Sequence, residues 1–206
     1  EQYAISDSDE RSMKISRNIV AAKIANSRNL LQRHIRNHGA ESDCSAVESC
    51  VRTLAVNISK VEHASSSDEL RGYEGECASL YFGCFNSMIT SQKEDFVFNH
   101  RSKRPPLDNV NALLSFVYMV LVNDIRSALE TTGLDPQVGF FHRIRPGRPS
   151  LALDIMEEYR AYIADRVVLN LINLNQVSRG DFEKKETGEI RLSDKARKEA
   201  IIAYQK

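Results

Sequence analysis

Three places along the 206-residue chain set ionisable side chains among apolar ones. The first is Arg71-Gly72-Tyr73-Glu74-Gly75-Glu76, at the start of an otherwise apolar helical stretch. Two glycines in a helical first turn cost on the order of 1 kcal/mol each relative to Ala. Keeping them implies that another backbone or a ligand comes close beside Glu74, although the helix dipole alone also favours acids at a helix start. The second is Phe140-Phe141-His142, a lone imidazole after two aromatics. A histidine in that setting is more often a hydrogen-bonded core residue than a metal ligand. The third is Asp154-Ile155-Met156-Glu157-Glu158. Asp154 and Glu157 stand at i, i+3 and share a helix face. With Arg160 following, that face reads equally well as solvated surface carrying an intrahelical ion pair.

Taken together, a Glu, a His and a carboxylate pair form a ligand set for a hard or borderline divalent cation. Carboxylates favour Mg²⁺ or Mn²⁺, and imidazole favours Mn²⁺ over Mg²⁺. Cys77 is the one cysteine adjoining these positions, too few for a structural zinc site. Two basic clusters, Arg101/Lys103/Arg104 and Arg143/Arg145/Arg148, suit a phosphate-bearing substrate, since each cation can meet a phosphodiester oxygen and release counterions. A metal beside a polyphosphate points to phosphodiester chemistry. Other histidines carry less. His34 and His38 are i, i+4 but flanked by Arg33 and Arg36, so surface residues near a helix end are the better reading; His100 precedes the first basic cluster.

Composition sets the outer bounds. Hydrophobic residues make up 42% and charged residues 27%, and the length suits one large domain or two small ones. Apolar runs from Ile15 to Ile202 exclude a disordered chain, and nine Gly and five Pro exclude a collagen-like one. Lys plus Arg equals Asp plus Glu at 28 each, so bulk charge steers the protein to neither nucleic acid nor membrane. The most apolar stretch, Ala112 to Val122, is closed by Asn123 and Asp124, whereas a membrane span needs about 20 residues. This predicts a core helix and no membrane association. The four cysteines form no CxxC pair and read as buried thiols of a reducing, cytoplasmic setting. Residues 1–12 are acidic and polar, unlike a signal peptide, and the first residue is Glu1 rather than Met.

The elements that must position the three places are helical. Ser8 or Asp9 is the expected cap of a long first helix ending at His38-Gly39, and Cys44 to His63 repeats the three- and four-residue apolar spacing. A third helix is predicted from Ser67 through Met88, and a polar, then basic, loop over 90–107. Asp108 or Asn109 caps a helix that is apolar on most faces and so belongs at the centre of the domain. Gly133-Leu134-Asp135-Pro136 is a turn, Ser150 the expected cap of a helix or helix pair reaching Leu174, and Thr187-Gly188 the turn of a small hairpin within 180–192. Ser193 caps a final helix to Tyr204. The fold class is mainly α, with a small β-hairpin near the C-terminus.

An ordered set of motifs then resembles one family. Arg71-Gly-Tyr-Glu74-Gly, the loop from Phe98 to Pro106 leading into Asp108-Asn-Val-Asn111, Gly133-Leu-Asp-Pro136, Gly139-Phe-Phe-His142 and Ser150-Leu-Ala-Leu-Asp154-Ile-Met-Glu157-Glu-Tyr-Arg160 are similar to the Cas1 family, the CRISPR-associated integrase-endonucleases that insert new spacers, and most like its subtype I-C branch. The resemblance implies a β-rich N-terminal domain followed by an α-helical catalytic one. Residues 1–206 resemble the catalytic part only, the β-rich domain being absent from this chain. It implies that Glu74, His142 and Glu157 hold Mg²⁺ or Mn²⁺, with Asp154 a supporting carboxylate or an occasional ligand. It implies DNA phosphate contacts at Arg71, Arg101, Arg104, Arg143 and Arg148, and an orienting role for Asn111. The implied partners are double-stranded or branched DNA (CRISPR repeat and prespacer), a second copy in the full-length family, and the small ferredoxin-like adaptation protein Cas2.

Two rival readings use the same residues differently. One is a metal-dependent DNA repair nuclease without integration. The other is a non-catalytic helical interaction module whose acids are ordinary surface groups.

Overall fold

Where the chain places its serines and aspartates decides where its helices begin. A computed structural model describes residues 1–39 and 43–206. After a short α1 (Gln2–Ser6), Ser8 accepts the Arg11 amide and α2 runs Asp9–His38. Its buried stripe is Ser16, Ile19, Val20, Lys23, Ile24, Ser27 and Leu31, a helical spacing with one charged residue in it. Helix α3 (Ser45–Glu62) lays Val47, Cys50, Leu54 and Val61 against that stripe. Helix α4 (Ser67–Gly83) is capped by Ser66, one residue before the expected start, while the Glu69 carboxylate takes the Ser65 amide in return. It also stops short of Met88, tightening into a 3₁₀ turn over Phe85–Met88 that folds Phe85 inward among Tyr81, Phe82 and Phe98.

The segment 90–107 is irregular, as predicted, yet well anchored. Asn86, Asn111 and Asn173 take its amides at Phe98, Ser102 and Thr90, and Phe96 and Phe98 are buried. Asp108 caps α5 (Asn109–Thr131) by accepting the Asn111 amide at 2.7 Å. By length and composition this helix could cross a membrane, but Val110 to Leu114, Val117, Tyr118 and Leu121 are buried in the protein core. It keeps one solvent face, where Met119 is 51% exposed, so it is less central than an all-round apolar helix would be.

From Ser150 the chain is one helical rod: α6 (Ser150–Tyr159), a π-helical stretch Arg160–Asp165, and α7 (Arg166–Asn173). Ser150 is its first helical residue rather than its cap; its hydroxyl donates to the Arg143 carbonyl instead. The hairpin forms between β1 (Phe182–Lys184) and β2 (Ile190–Leu192), antiparallel with Glu183 opposite Arg191, and Gly188 supplies the positive φ of its turn. Ile190 and Leu192 bury against the core, and Ser193 caps α8 (Asp194–Gln205). All four cysteines are buried.

The π-helical stretch carries a fully buried carboxylate, Asp165, which accepts the hydroxyls of Tyr81 at 2.7 Å and Tyr118 at 2.5 Å. Burial pushes its pKa up to about 6, against the opposing pull of the two hydroxyls and of Arg160 and Arg101. A carboxyl whose folded pKa is raised loses its charge on folding more readily, so stability rises as pH falls through about 6 towards 3.8. Two pKa units correspond to about 3 kcal/mol. Urea unfolding at pH 7 and pH 5 therefore gives a wild-type chain more stable at the lower pH, and an Asp165→Asn variant in which that gain is abolished. An unchanged gain in the variant would assign the dependence to another group.

Candidate phosphoryl-transfer site

The charged residue in the α2 stripe organises the site. Lys23, its side chain 10% exposed, pairs with Glu74 of α4 and, 2.7 Å away, with Glu157 of α6. Two carboxylates from helices far apart in sequence thus meet on one ammonium. Arg160, one turn beyond Glu157, takes its other oxygen at 3.1 Å and lies 4.6 Å from the Tyr118 ring centroid. Burial alone would raise the Glu157 carboxyl; the Arg160 and Lys23 charges outweigh it and hold the pKa down to about 2. The Lys23–Glu157 contact is ionic without hydrogen-bond alignment, so Glu157 Oε2 is a buried oxygen accepting no hydrogen bond.

His142 is placed by Asp154. That carboxylate is fully buried and accepts the backbone amides of Phe140 (2.6 Å), Phe141 (3.0 Å) and His142 (2.8 Å), together with His142 Nδ1 at 2.7 Å. With Nδ1 tied down, Nε2 is the ring nitrogen left to face a ligand, the arrangement commonly seen behind a metal-bound or phosphate-facing imidazole. Both Asp154 oxygens are used in holding this loop. Of the i, i+3 pair, Glu157, one turn on, is the carboxylate that faces the Lys23 ammonium.

The close approach expected beside Glu74 does not occur within the protein. A Cβ at Gly72 or Gly75 would meet nothing within 4 Å. A crowded glycine near the site is Gly139, where a Cβ would fall 2.7 Å from Asp154 Oδ2 and from the Ser150 carbonyl carbon.

Two cavities adjoin these groups. One, of about 450 Å³, is lined by Lys23, Glu74, His100, Arg101, Lys103 and Arg160; the other, of about 400 Å³, by Asp68, Arg71, His142 and Arg143. Glu74 and His142 thus open on different cavities. Arg101 lines the first but is committed inward: its guanidinium donates to Asn111 Oδ1, the Ser115 hydroxyl and the Ser102 carbonyl. Asn111, fully buried, also donates to the His100 carbonyl, so it orients the loop over 100–102. Arg71 pairs with Asp68 at 2.8 Å, Arg104 and Arg143 are exposed, and Arg148 is half-buried.

Among the described residues, no three His, Cys, Asp or Glu side chains stand close enough together to hold a metal ion. The donor chemistry nevertheless fits a hard or borderline divalent cation. Glu74 and Glu157 already share a cation, and Glu157 Oε2 lacks a hydrogen-bond partner. Lys23, and the Tyr81–Asp165–Tyr118 support behind Arg160, were not singled out in the sequence. The available signal was a charged residue interrupting an apolar helical stripe, at Lys23 among Val20, Ile24 and Ser27 and again at Asp165 between Ala161, Ala164 and Val168.

The fold is thus a helical domain with paired acids, an oriented imidazole and arginine-lined cavities. The family described as "CRISPR associated protein Cas1" matches residues 1–206, and this chain belongs to it. It is 47% identical over 204 residues to the CRISPR-associated endonuclease Cas1 1 of Chlorobaculum tepidum, covering 99% of this chain and 60% of that relative. It is 44% identical to the CRISPR-associated endonuclease Cas1 of Leptospira interrogans, covering 99% of this chain and 80% of that relative. Among solved structures, a Cas1 protein from Thermotoga maritima superposes with a TM-score of 0.83 at 28% identity, covering 99% of this chain and 60% of that one. The chain therefore spans about 60% of the length of several relatives it matches.

Proposed function

We propose that this chain is the catalytic domain of a divalent-metal-dependent DNA endonuclease and integrase, which inserts new spacers into a CRISPR array by phosphodiester transesterification. The observation that carries this reading is the convergence of Glu74 and Glu157 on one cation at the mouth of an arginine- and lysine-lined cavity. Membership of a family whose relatives are named endonucleases supports it. A 3′-hydroxyl of incoming DNA attacks a phosphodiester at the repeat border, one P–O bond forms as another breaks, and no high-energy cofactor is consumed. Glu74, Glu157 and His142 would hold Mg²⁺ or Mn²⁺, which supplies charge neutralisation at the phosphoryl oxygen and a lowered pKa of the attacking hydroxyl. Asp154 keeps the His142 ring oriented. Arg160, braced on Tyr118, and Lys103 face the cavity where the phosphate's charge must be neutralised. Arg71, Arg104, Arg143 and Arg148 lie along the flanking surfaces, where duplex phosphates would be met.

Double-stranded and branched DNA are the proposed substrates, and a second copy of the full-length protein and Cas2 the proposed partners. A solved Cas6-RT-Cas1–Cas2 complex, 30% identical to this chain with a TM-score of 0.87, supports the last of these. Incubation with Mn²⁺ and a branched or repeat-bearing duplex tests the proposal. Joined product is expected; cleavage without joining would favour the repair-nuclease reading, and absence of both would favour the interaction module.

A further inference from the structure

Lys23 is the charged group that the chemistry above does not employ. It arises from the apolar stripe of α2, between Val20 and Ile24, and spends its one charge on the two acids. Without a cation between them, a 6%-exposed Glu157 and its neighbour Glu74 would repel in a poorly solvated place. Arg160 cannot replace Lys23 there, since its guanidinium is fixed at Glu157 Oε1 and over the Tyr118 ring.

A divalent cation between the same two carboxylates changes the balance. Lys23, Arg160 and the cation would then bring four positive charges to two negative ones, and the repulsion falls on the most movable group. Lysine's four-carbon stem is that group. It also has somewhere to go, because Lys23 itself lines the cavity of about 450 Å³ that opens beside Glu74.

We infer that Lys23 is a resident counter-cation: its ammonium holds the place between Glu74 and Glu157 in the metal-free protein, and swings into the adjoining cavity when a divalent ion binds. This rests on the metal-dependent reading above. It follows that the acid pair is open to metal only in the fraction of molecules whose lysine has swung out, so the apparent affinity is reduced by that fraction.

The test is Mn²⁺ binding to the 206-residue chain by electron paramagnetic resonance, for wild type and Lys23→Met, with folding checked by circular dichroism. The variant is expected to bind Mn²⁺ about tenfold more tightly or better. A wild-type measurement stands beside it in case the variant does not fold. Acylation of Lys23 by an activated ester, read by peptide mass spectrometry against exposed lysines, is expected to be slow without metal and several-fold faster at saturating Mn²⁺. Equal or weaker binding by folded Lys23→Met, or acylation unchanged by Mn²⁺ that does bind, overturns the inference and leaves the metal site standing. Failure of wild type and variant alike to bind Mn²⁺ overturns the metal-dependent reading and this inference with it.

Discussion

Glu74→Gln is expected to abolish DNA cleavage and to leave the chain folded. Glu74 is the more exposed member of the acid pair, its side chain 24% accessible, and in its absence Lys23 stays paired with Glu157. Nothing buried is left without a counter-charge, so the stability cost stays within about 1 kcal/mol, as for a partly exposed ion pair. The chemistry has no such reserve. Losing a group behind a metal ligand typically costs 10- to 100-fold, so losing a ligand is expected to cost more than ~100-fold in cleavage. His142→Ala is expected to behave likewise, because the loop that carries it is held by backbone amides on Asp154 rather than by the ring alone. Glu157→Gln is the contrast. There the buried Lys23 and Arg160 lose their common partner, and breaking a buried pair costs about 3–5 kcal/mol, so activity and fold fall together. The measurements are Mn²⁺-dependent nicking of plasmid DNA and urea unfolding on the same preparations. Retained cleavage by Glu74→Gln would remove that residue from the site.

The parts of this architecture that were legible in the sequence are those fixed by neighbours in the chain. Ser8, Asp108 and Ser193 cap their helices because a side-chain oxygen need reach only an amide three residues on. Among the consecutive serines 65–67 the helix begins at Ser67, as expected, with Ser66 as its cap. At Ser150 the hydroxyl is drawn to a loop carbonyl, a partner set by tertiary packing. The i, i+3 spacing showed that Asp154 and Glu157 share a face, but what each meets depends on the segments lying opposite. Asp154 meets the backbone of 140–142 and Glu157 meets α2. Lys23 was hidden for the same reason: it stands on the buried stripe of α2, and only the assembled helices bring two acids to it. Glycines misled in the same way. Gly72 and Gly75 are conspicuous in a helix yet open on space, whereas Gly139, unremarkable between a valine and a phenylalanine, is pressed against α6.

That pressed contact sets up a second large expected loss of stability. Asp154 receives three amides and one imidazole nitrogen in a site with no solvent access, and hydrogen bonds to a charged acceptor contribute roughly 1.5–3 kcal/mol each. Asp154→Ala strands those donors together, and the sum does not fall in full because the loop can lift and let water in. An unfolding free energy lower by at least about 3 kcal/mol is expected. Asp154→Asn keeps one oxygen but turns an amide NH₂ towards N–H groups, so its cost lies between. Gly139→Ala attacks the same contact from the other side: a methyl 2.7 Å from Asp154 Oδ2 must displace either the loop or the carboxylate. In all three variants His142 loses its orientation, so cleavage measured where the protein is still folded drops further than the folded fraction does. This separates a positioning carboxylate from one that merely stabilises the fold. If Asp154→Ala unfolds within about 1 kcal/mol of wild type, or cleaves in proportion to its folded fraction, then the loop and imidazole are held by something other than this side chain.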